Sequence, residues 1–171
     1  MSPLIISPLI ASLPLLFCLA FHFTNAITDT ILPGQSLNTS DSIVSANGSY
    51  VLGFFSTEKS TKNYLVICNF VDGYAALSDP EDMVWVANRE DPFPNSSAVL
   101  TFNQDGNLVI SDGSLLYVMT NTSGGNDTYA KLLDTGNLIL TNRASHILWQ
   151  SFDRPTDTLL PGMKIKALRS W

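Results

Sequence analysis

The chain has 171 residues, with 15 Asp and Glu against 9 Lys and Arg, for a formal net charge of −6. Without a leader, residues 27–171 are still enough for one domain with a real core. Dispersed basic residues in an acidic chain suit phosphate backbones poorly, so nucleic acid is excluded as a partner.

Residues 1–26 contain no Asp, Glu, Lys or Arg. An apolar run from Leu13 to Phe21 is followed by Thr24-Asn25-Ala26, whose small last residue suits cleavage. This is the pattern of a secretory signal peptide, with a signal anchor as the alternative. Pro3, Pro8 and Pro14 interrupt the stretch, which is short for a span. No later run approaches the ~18 apolar residues of a membrane helix, so no transmembrane helix is expected beyond the leader. The expected location is secreted or extracellular, in the apoplast or at the cell surface.

Cys18 departs with the leader, which leaves Cys68 without an intrachain partner. It is either a small buried hydrophobe in a strand or half of an intermolecular bridge. Five Asn-x-Ser/Thr sequons, at Asn38, Asn47, Asn95, Asn121 and Asn126, point to a glycosylated surface on a secreted chain. Asn121 and Asn126 flank Ser123-Gly124-Gly125, a turn.

In chain order, strands are predicted at 42–44, 50–55, 64–70, 83–87, 98–102, 107–110, 115–120, 129–133, 138–140 and 147–152. Each is short, rich in β-branched and aromatic residues, and bounded by Gly, Asn, Asp, Ser or Pro. This spacing means an all-β sandwich, barrel or prism. The longest loops are 72–82 and 88–97; Pro92 and Pro94 keep the second out of a central strand. Trp85, Tyr117 and Trp149 each sit inside an apolar run, 32 residues apart in both intervals. Equal spacing is the mark of a repeated unit, and three such aromatics are expected to pack where three units meet.

Within this pattern Asn103-Gln104-Asp105-Gly106-Asn107-Leu108-Val109-Ile110-Ser111 stands out. Asp105-Gly106 between two apolar runs predicts a hairpin. The turn gathers Asn103, Asp105 and Asn107 beside Val109. That set is either a plain polar turn or a cradle for a sugar, whose hydroxyls want amides and carboxylates and whose underside wants an apolar wall. Asp134-Thr135-Gly136-Asn137-Leu138-Ile139-Leu140 repeats the stretch, and Asn47-Gly48-Ser49-Tyr50-Val51-Leu52 does so loosely.

Catalytic chemistry finds little support. His146 is the one histidine after the leader and reads as a strand-end residue rather than a base. One His and one Cys make no metal site, and no cofactor motif appears. Glu81-Asp82 and Glu90-Asp91 could pair as glycosidase carboxylates, but adjacent acids in Pro-containing loops read as a solvated face. The chain is therefore expected to be a binding module and not an enzyme.

Phe54-Phe55-Ser56, Val84-Trp85-Val86-Ala87-Asn88-Arg89-Glu90, Asp105-Gly106-Asn107-Leu108-Val109, Leu132-Leu133-Asp134-Thr135-Gly136-Asn137-Leu138 and Leu148-Trp149-Gln150-Ser151-Phe152-Asp153 together resemble the plant bulb-type (G-type) lectin domain. The likeness is to the N-terminal ectodomain of S-locus glycoproteins and S-domain receptor-like serine/threonine kinases. Pro155 to Met163 is similar to the segment that follows in those proteins. The resemblance implies an all-β fold, a β-prism II of three four-stranded antiparallel sheets with pseudo-threefold symmetry, with Trp85, Tyr117 and Trp149 on the shared axis. It implies a lectin domain over 27–152 and an extended C-terminal segment over 153–171, the start of a truncated linker.

The family's mannose motif, Gln-x-Asp-x-Asn-x-Val-x-Tyr, falls on Asn103, Asp105, Asn107, Val109 and Ser111. Asp, Asn and Val match; Asn103 is one methylene short of Gln, and Ser111 lacks the phenol. The copy around Asn137 has Leu133, Thr135 and Thr141 at the Gln, Asp and Tyr positions and is expected to be dead. In bulb lectins a disulfide ties the position matching Gly106, and this chain has none there. The resemblance thus implies a mannose-type carbohydrate-binding module with a degenerate site, in a truncated receptor ectodomain. The alternative is a protein-recognition or dimerisation ectodomain without sugar binding, its partner a protein ligand or receptor.

Overall fold

The computed structural model describes residues 28–56, 60–71, 74–75 and 80–164. The expected leader, residues 1–26, lies outside them, and among them no helix is long and apolar enough to cross a membrane. The strands are β1 (Thr30–Ile31), β2 (Ser36–Asn38), β3 (Ser42–Val44), β4 (Tyr50–Phe55), β5 (Tyr64–Val71), β6 (Tyr74–Ala75), β7 (Met83–Val86), β8 (Val99–Phe102), β9 (Leu108–Ser111), β10 (Leu116–Val118), β11 (Thr128–Leu132), β12 (Leu138–Asn142) and β13 (Ile147–Gln150). The helical pieces described are single 3-10 turns at Pro80–Asp82, Gly125–Asp127 and Ser151–Asp153.

Three antiparallel sheets form, in the orders β1-β11-β12-β13, β10-β9-β8-β2 and β3-β4-β5-β7. The third departs from four strands, since the two-residue β6 extends it by pairing Phe70 with Ala75. β1 and β2 are not among the strands predicted from sequence. At two and three residues they carry too little pattern to read alone. They exist because β11 and β8 offer them paired edges, Ile31 against Ala130 and Leu37 against Leu100.

Alternation along the strands builds the core. Leu132, Leu138 and Leu140 from the first sheet, Leu100, Leu108 and Ile110 from the second, and Leu52, Leu65 and Ile67 from the third are all fully buried in one cluster. Each such side chain contributes about 1.5–3 kcal/mol on burial. Trp85, Tyr117 and Trp149 lie on β7, β10 and β13, the edge strand of a different sheet in each case. Trp85 is buried, whereas Tyr117 and Trp149 are half-buried and pack against the same cluster. The Trp85 and Trp149 rings meet edge to face, with centroids 6.0 Å apart. Tyr117 Oη donates to the Ala87 carbonyl at 2.7 Å, and burial, then the nearby Asp91 charge, pushes its phenol up. Trp85 Nε1 donates to the Arg154 carbonyl at 2.9 Å, while the buried Trp149 Nε1 has no partner among the described residues.

A second, smaller core covers the outer face of the third sheet, from Val44, Val51, Phe55, Val66, Cys68, Met83 and Val86. Cys68 is fully buried there. Burial, helped by the charges of Asp82 and Asp157, pushes its thiol up to about 12. An intermolecular bridge is inconsistent with that environment, so Cys68 is the buried hydrophobe.

Residues 154–164 are held against this domain. The β7 edge not taken by β5 bonds to them, Val86 N–H donating to Thr156 Oγ1 at 2.7 Å and Thr158 N–H to the Val84 carbonyl at 3.3 Å. Arg89 pairs with Asp157, and Leu160 packs on the main core. A boundary between 152 and 153 therefore marks no loss of contact.

Candidate functional site

The hairpin between β8 and β9 is built by short-range polar bonding. Asn103 N–H donates to the Asn107 carbonyl at 2.9 Å, and Gly106 N–H to the Asn103 carbonyl at 3.1 Å. The Asn103 side chain closes the turn, its Oδ1 accepting from the Asp105 and Asn107 N–H groups at 3.0 and 2.9 Å. Gly106 sits at φ +74°, which glycine reaches without strain. The hairpin between β11 and β12 repeats the wiring, Leu133 N–H to the Asn137 carbonyl and Gly136 N–H to the Leu133 carbonyl. The sequence repeat is thus a repeat of hydrogen bonds.

Gly106 also lies where nothing larger fits. A Cβ there would stand 1.8 Å from the Gly125 carbonyl oxygen, and the Gly106 carbonyl accepts from buried Thr128 Oγ1 at 2.8 Å. That contact ties the hairpin tip to the following loop at the position where the resemblance implies a disulfide in bulb lectins.

Asn107 reaches the same loop. Its Oδ1 accepts from Thr122 N–H at 2.8 Å and from the Thr120 and Thr122 hydroxyls at 3.1 Å each, and its Nδ2 donates to the Thr122 carbonyl at 3.1 Å. Thr120 Oγ1 in turn accepts from Leu108 N–H. Asn137 is wired alike: its Oδ1 accepts from Ser151 Oγ, which accepts from Leu138 N–H, and its Nδ2 donates to Gln150 Oε1. The two asparagines do the same structural job in both copies of the motif.

The expected sugar-binding set therefore divides. Asn103 and Asn107 spend their side-chain oxygens on the fold. Val109 is buried on β9 between Thr101 and Val118. Ser111 Oγ accepts from Gly113 N–H in the next turn. Asp105 is exposed, and its carboxylate makes no hydrogen bond or ion pair among the described residues. It stands on the wall of an open groove of about 470 Å³ between the hairpin tip and the following loop, lined by Gln104, Asp105, Asn107, Asn121, Thr122, Ser123 and Gly125. Asn103, Val109 and Ser111 do not line it. Gln104 and the 121–125 loop were not legible as site residues, because Thr122 meets the hairpin only through Asn107, fifteen residues earlier in sequence.

The other concavities are differently made. A groove of about 670 Å³ at the 45–48 turn includes Asp29, whose carboxyl is already engaged. Burial raises the Asp29 pKa, but bonds from Thr30 Oγ1 at 2.6 Å and Lys131 Nζ at 3.2 Å outweigh it and hold the group below its ordinary value. The Asp112 carboxyl is held low by N–H donation from Leu115 and Ser114 within its own turn. His146 is exposed, and Glu81-Asp82 and Glu90-Asp91 flank opposite ends of β7. Among the described residues no cluster of His, Cys, Asp or Glu could hold a metal ion. Asn38, Asn47, Asn95 and Asn121 are exposed; Asn126 follows Gly125 in the same loop.

The family model described as D-mannose binding lectin matches residues 82–170. Two G-type lectin S-receptor-like serine/threonine-protein kinases of Arabidopsis thaliana are 42% and 44% identical to this chain over 134 and 147 residues, covering 75% and 81% of it and 16% of each kinase. An S-locus-specific glycoprotein of Brassica oleracea is 36% identical over 158 residues, covering 88% of this chain and 34% of that protein. The chain thus spans only a sixth to a third of these relatives. Among solved structures, monomeric monocot mannose-binding lectins from Gastrodia elata align with a TM-score of 0.52 at 23% identity, over 75% of this chain and all of that one, a likeness of fold.

Proposed function

This chain belongs to the D-mannose binding lectin family, and on that premise we propose that it is an extracellular carbohydrate-binding module with a degenerate, weak site for mannose-type sugars, part of a receptor-like ectodomain. The observation that carries this reading is the free Asp105 carboxylate on the wall of a polar groove. A pyranose in that groove would donate hydroxyl hydrogens to Asp105 and bond with the Gln104, Thr122 and Ser123 side chains. Asn103 and Asn107 act by shaping the turn. A few such bonds, each worth about 0.5–3 kcal/mol net, less the cost of ordering the sugar, place affinity at about 1 mM or weaker. The leader and extracellular location rest on the sequence pattern of residues 1–26 and on the kinship with receptor ectodomains.

The test is a mannosylated glycan array probed with a multivalent, unglycosylated form of residues 27–171, alongside Asp105→Ala in the same form. Binding that disappears in Asp105→Ala supports the site; silence in both arms removes it.

One observation favours the second reading, protein recognition. β10 is an edge strand, and its Leu116 and Val118 are 65% and 50% exposed, next to Leu115 at 50%. An edge with unpaired backbone groups and apolar side chains is what a protein partner or a second copy of the chain would cover. Leu116→Lys would abolish such pairing without touching the groove.

A further inference from the structure

All three residues of the Asn121-Thr122-Ser123 sequon line the same groove as Asp105. Asn121 is exposed, as an acceptor of an N-linked glycan must be. Its position is fixed, because both backbone groups of Thr122 are bonded to the Asn107 side chain, at 2.8 and 3.1 Å. The far end of the loop is fixed too, by Thr128 Oγ1 on the Gly106 carbonyl. A glycan on Asn121 cannot swing aside with a loose loop, and its first sugar ring would stand at the mouth a ligand must enter. From this arrangement we infer that N-glycosylation of Asn121 closes the groove, so that the glycosylated chain is masked and the unmodified chain is open. This rests on the reading of the groove as a sugar site. The other exposed sequon asparagines, Asn38, Asn47 and Asn95, do not line it, and their glycans leave it open.

The test separates masking from sugar binding. Asp105→Cys is secreted from insect cells with and without Asn121→Gln, occupancy of Asn121 is read by peptide mass spectrometry, and the introduced thiol is labelled with a bulky polymer maleimide. Cys68 is buried and does not compete. Labelling at least tenfold slower in the chain carrying the Asn121 glycan, with Asn38→Gln giving no acceleration, is the expected result. Equal labelling rates, or an unmodified Asn121, overturn the inference. In parallel, Asn121→Gln with Asp105 intact is retarded on a mannose column relative to its Asp105→Ala counterpart and the glycosylated parent is not. If neither is retarded while the labelling rates differ, the masking stands and the sugar-binding function falls alone.

Discussion

Replacing Asn107 with Ala distinguishes a residue that builds the site from one that binds the ligand. The carboxamide makes four bonds to Thr120 and Thr122. Thr120 is 1% exposed, so its hydroxyl would lose its acceptor away from water. A buried polar group left unpaired costs about 1–3 kcal/mol, and each half-exposed bond to Thr122 contributes about 0.5–1.5 kcal/mol. Water recovers part of the second contribution, so the expected loss is about 2–4 kcal/mol, a large share of the 5–15 kcal/mol of an ordinary domain. Asn137→Ala, which breaks the same wiring in the copy without the sugar residues, should cost a similar amount. Asp105→Ala should stay within about 0.5 kcal/mol of the parent, as an exposed residue without partners. Urea unfolding followed by tryptophan fluorescence reads all three as shifts of midpoint at constant slope. An Asn107→Ala midpoint equal to the parent's would refute the structural role and return Asn107 to the ligand.

Gly106→Ala should fail to fold or lose several kcal/mol, since its methyl would collide with the Gly125 carbonyl, whereas Gly113→Ala, at φ +89° with open space around it, should cost only the roughly 1–3 kcal/mol of backbone strain; equal thermal midpoints for the two would show that the hairpin tip does not dock on the loop. Trp85→Phe strands the Arg154 carbonyl while Trp149→Phe removes an N–H that has no partner, so Trp85→Phe should be the more destabilising by about 1 kcal/mol or more; the reverse order in thermal melts would contradict the placement of the two indoles. Cys68 sets an alkaline limit. Its thiol titrates near 12 in the folded chain against an ordinary 9.0, so the unfolded chain releases the proton first. That stability is complete below about pH 9 and falls by up to about 1.4 kcal/mol per pH unit as pH rises toward 12. Cys68→Ala should flatten the slope between pH 9 and 11 in urea titrations, and an unchanged slope would contradict the burial of the thiol.

Much of the fold was legible because alternation and turn chemistry are local signals. From residue 42 onward the expected strands match observed ones to within a few residues, as Tyr50–Phe55 and Met83–Val86 show, although the two-residue β6, Tyr74–Ala75, falls inside the expected 72–82 loop. The 32-residue aromatic spacing pointed to a threefold arrangement because each repeat contributes one edge strand. β1 and β2 were not legible, since their few residues are strands only by virtue of partners far along the chain. The site was half legible. Asp105-Gly106 announces a turn, but no local pattern reveals that Asn103 and Asn107 turn their oxygens to the protein, or that the second wall of the groove is the 121–125 loop. This changes how the motif's departures are read. Gln at position 103 would lengthen a side chain whose oxygen closes the turn at 2.9–3.0 Å, so Asn103→Gln disturbs the hairpin and does not simply restore a ligand contact.

The most direct measurement is a two-dimensional amide NMR titration of the unglycosylated domain with methyl α-mannoside to about 50 mM. Fast-exchange shifts at Asp105, Gly106, Thr122 and Ser123, fitting a Kd of about 1 mM or weaker and absent in a folded Asp105→Ala variant, are the predicted result. No shifts at all, or shifts confined to Leu116 and Val118 on β10, would contradict the groove as the sugar site.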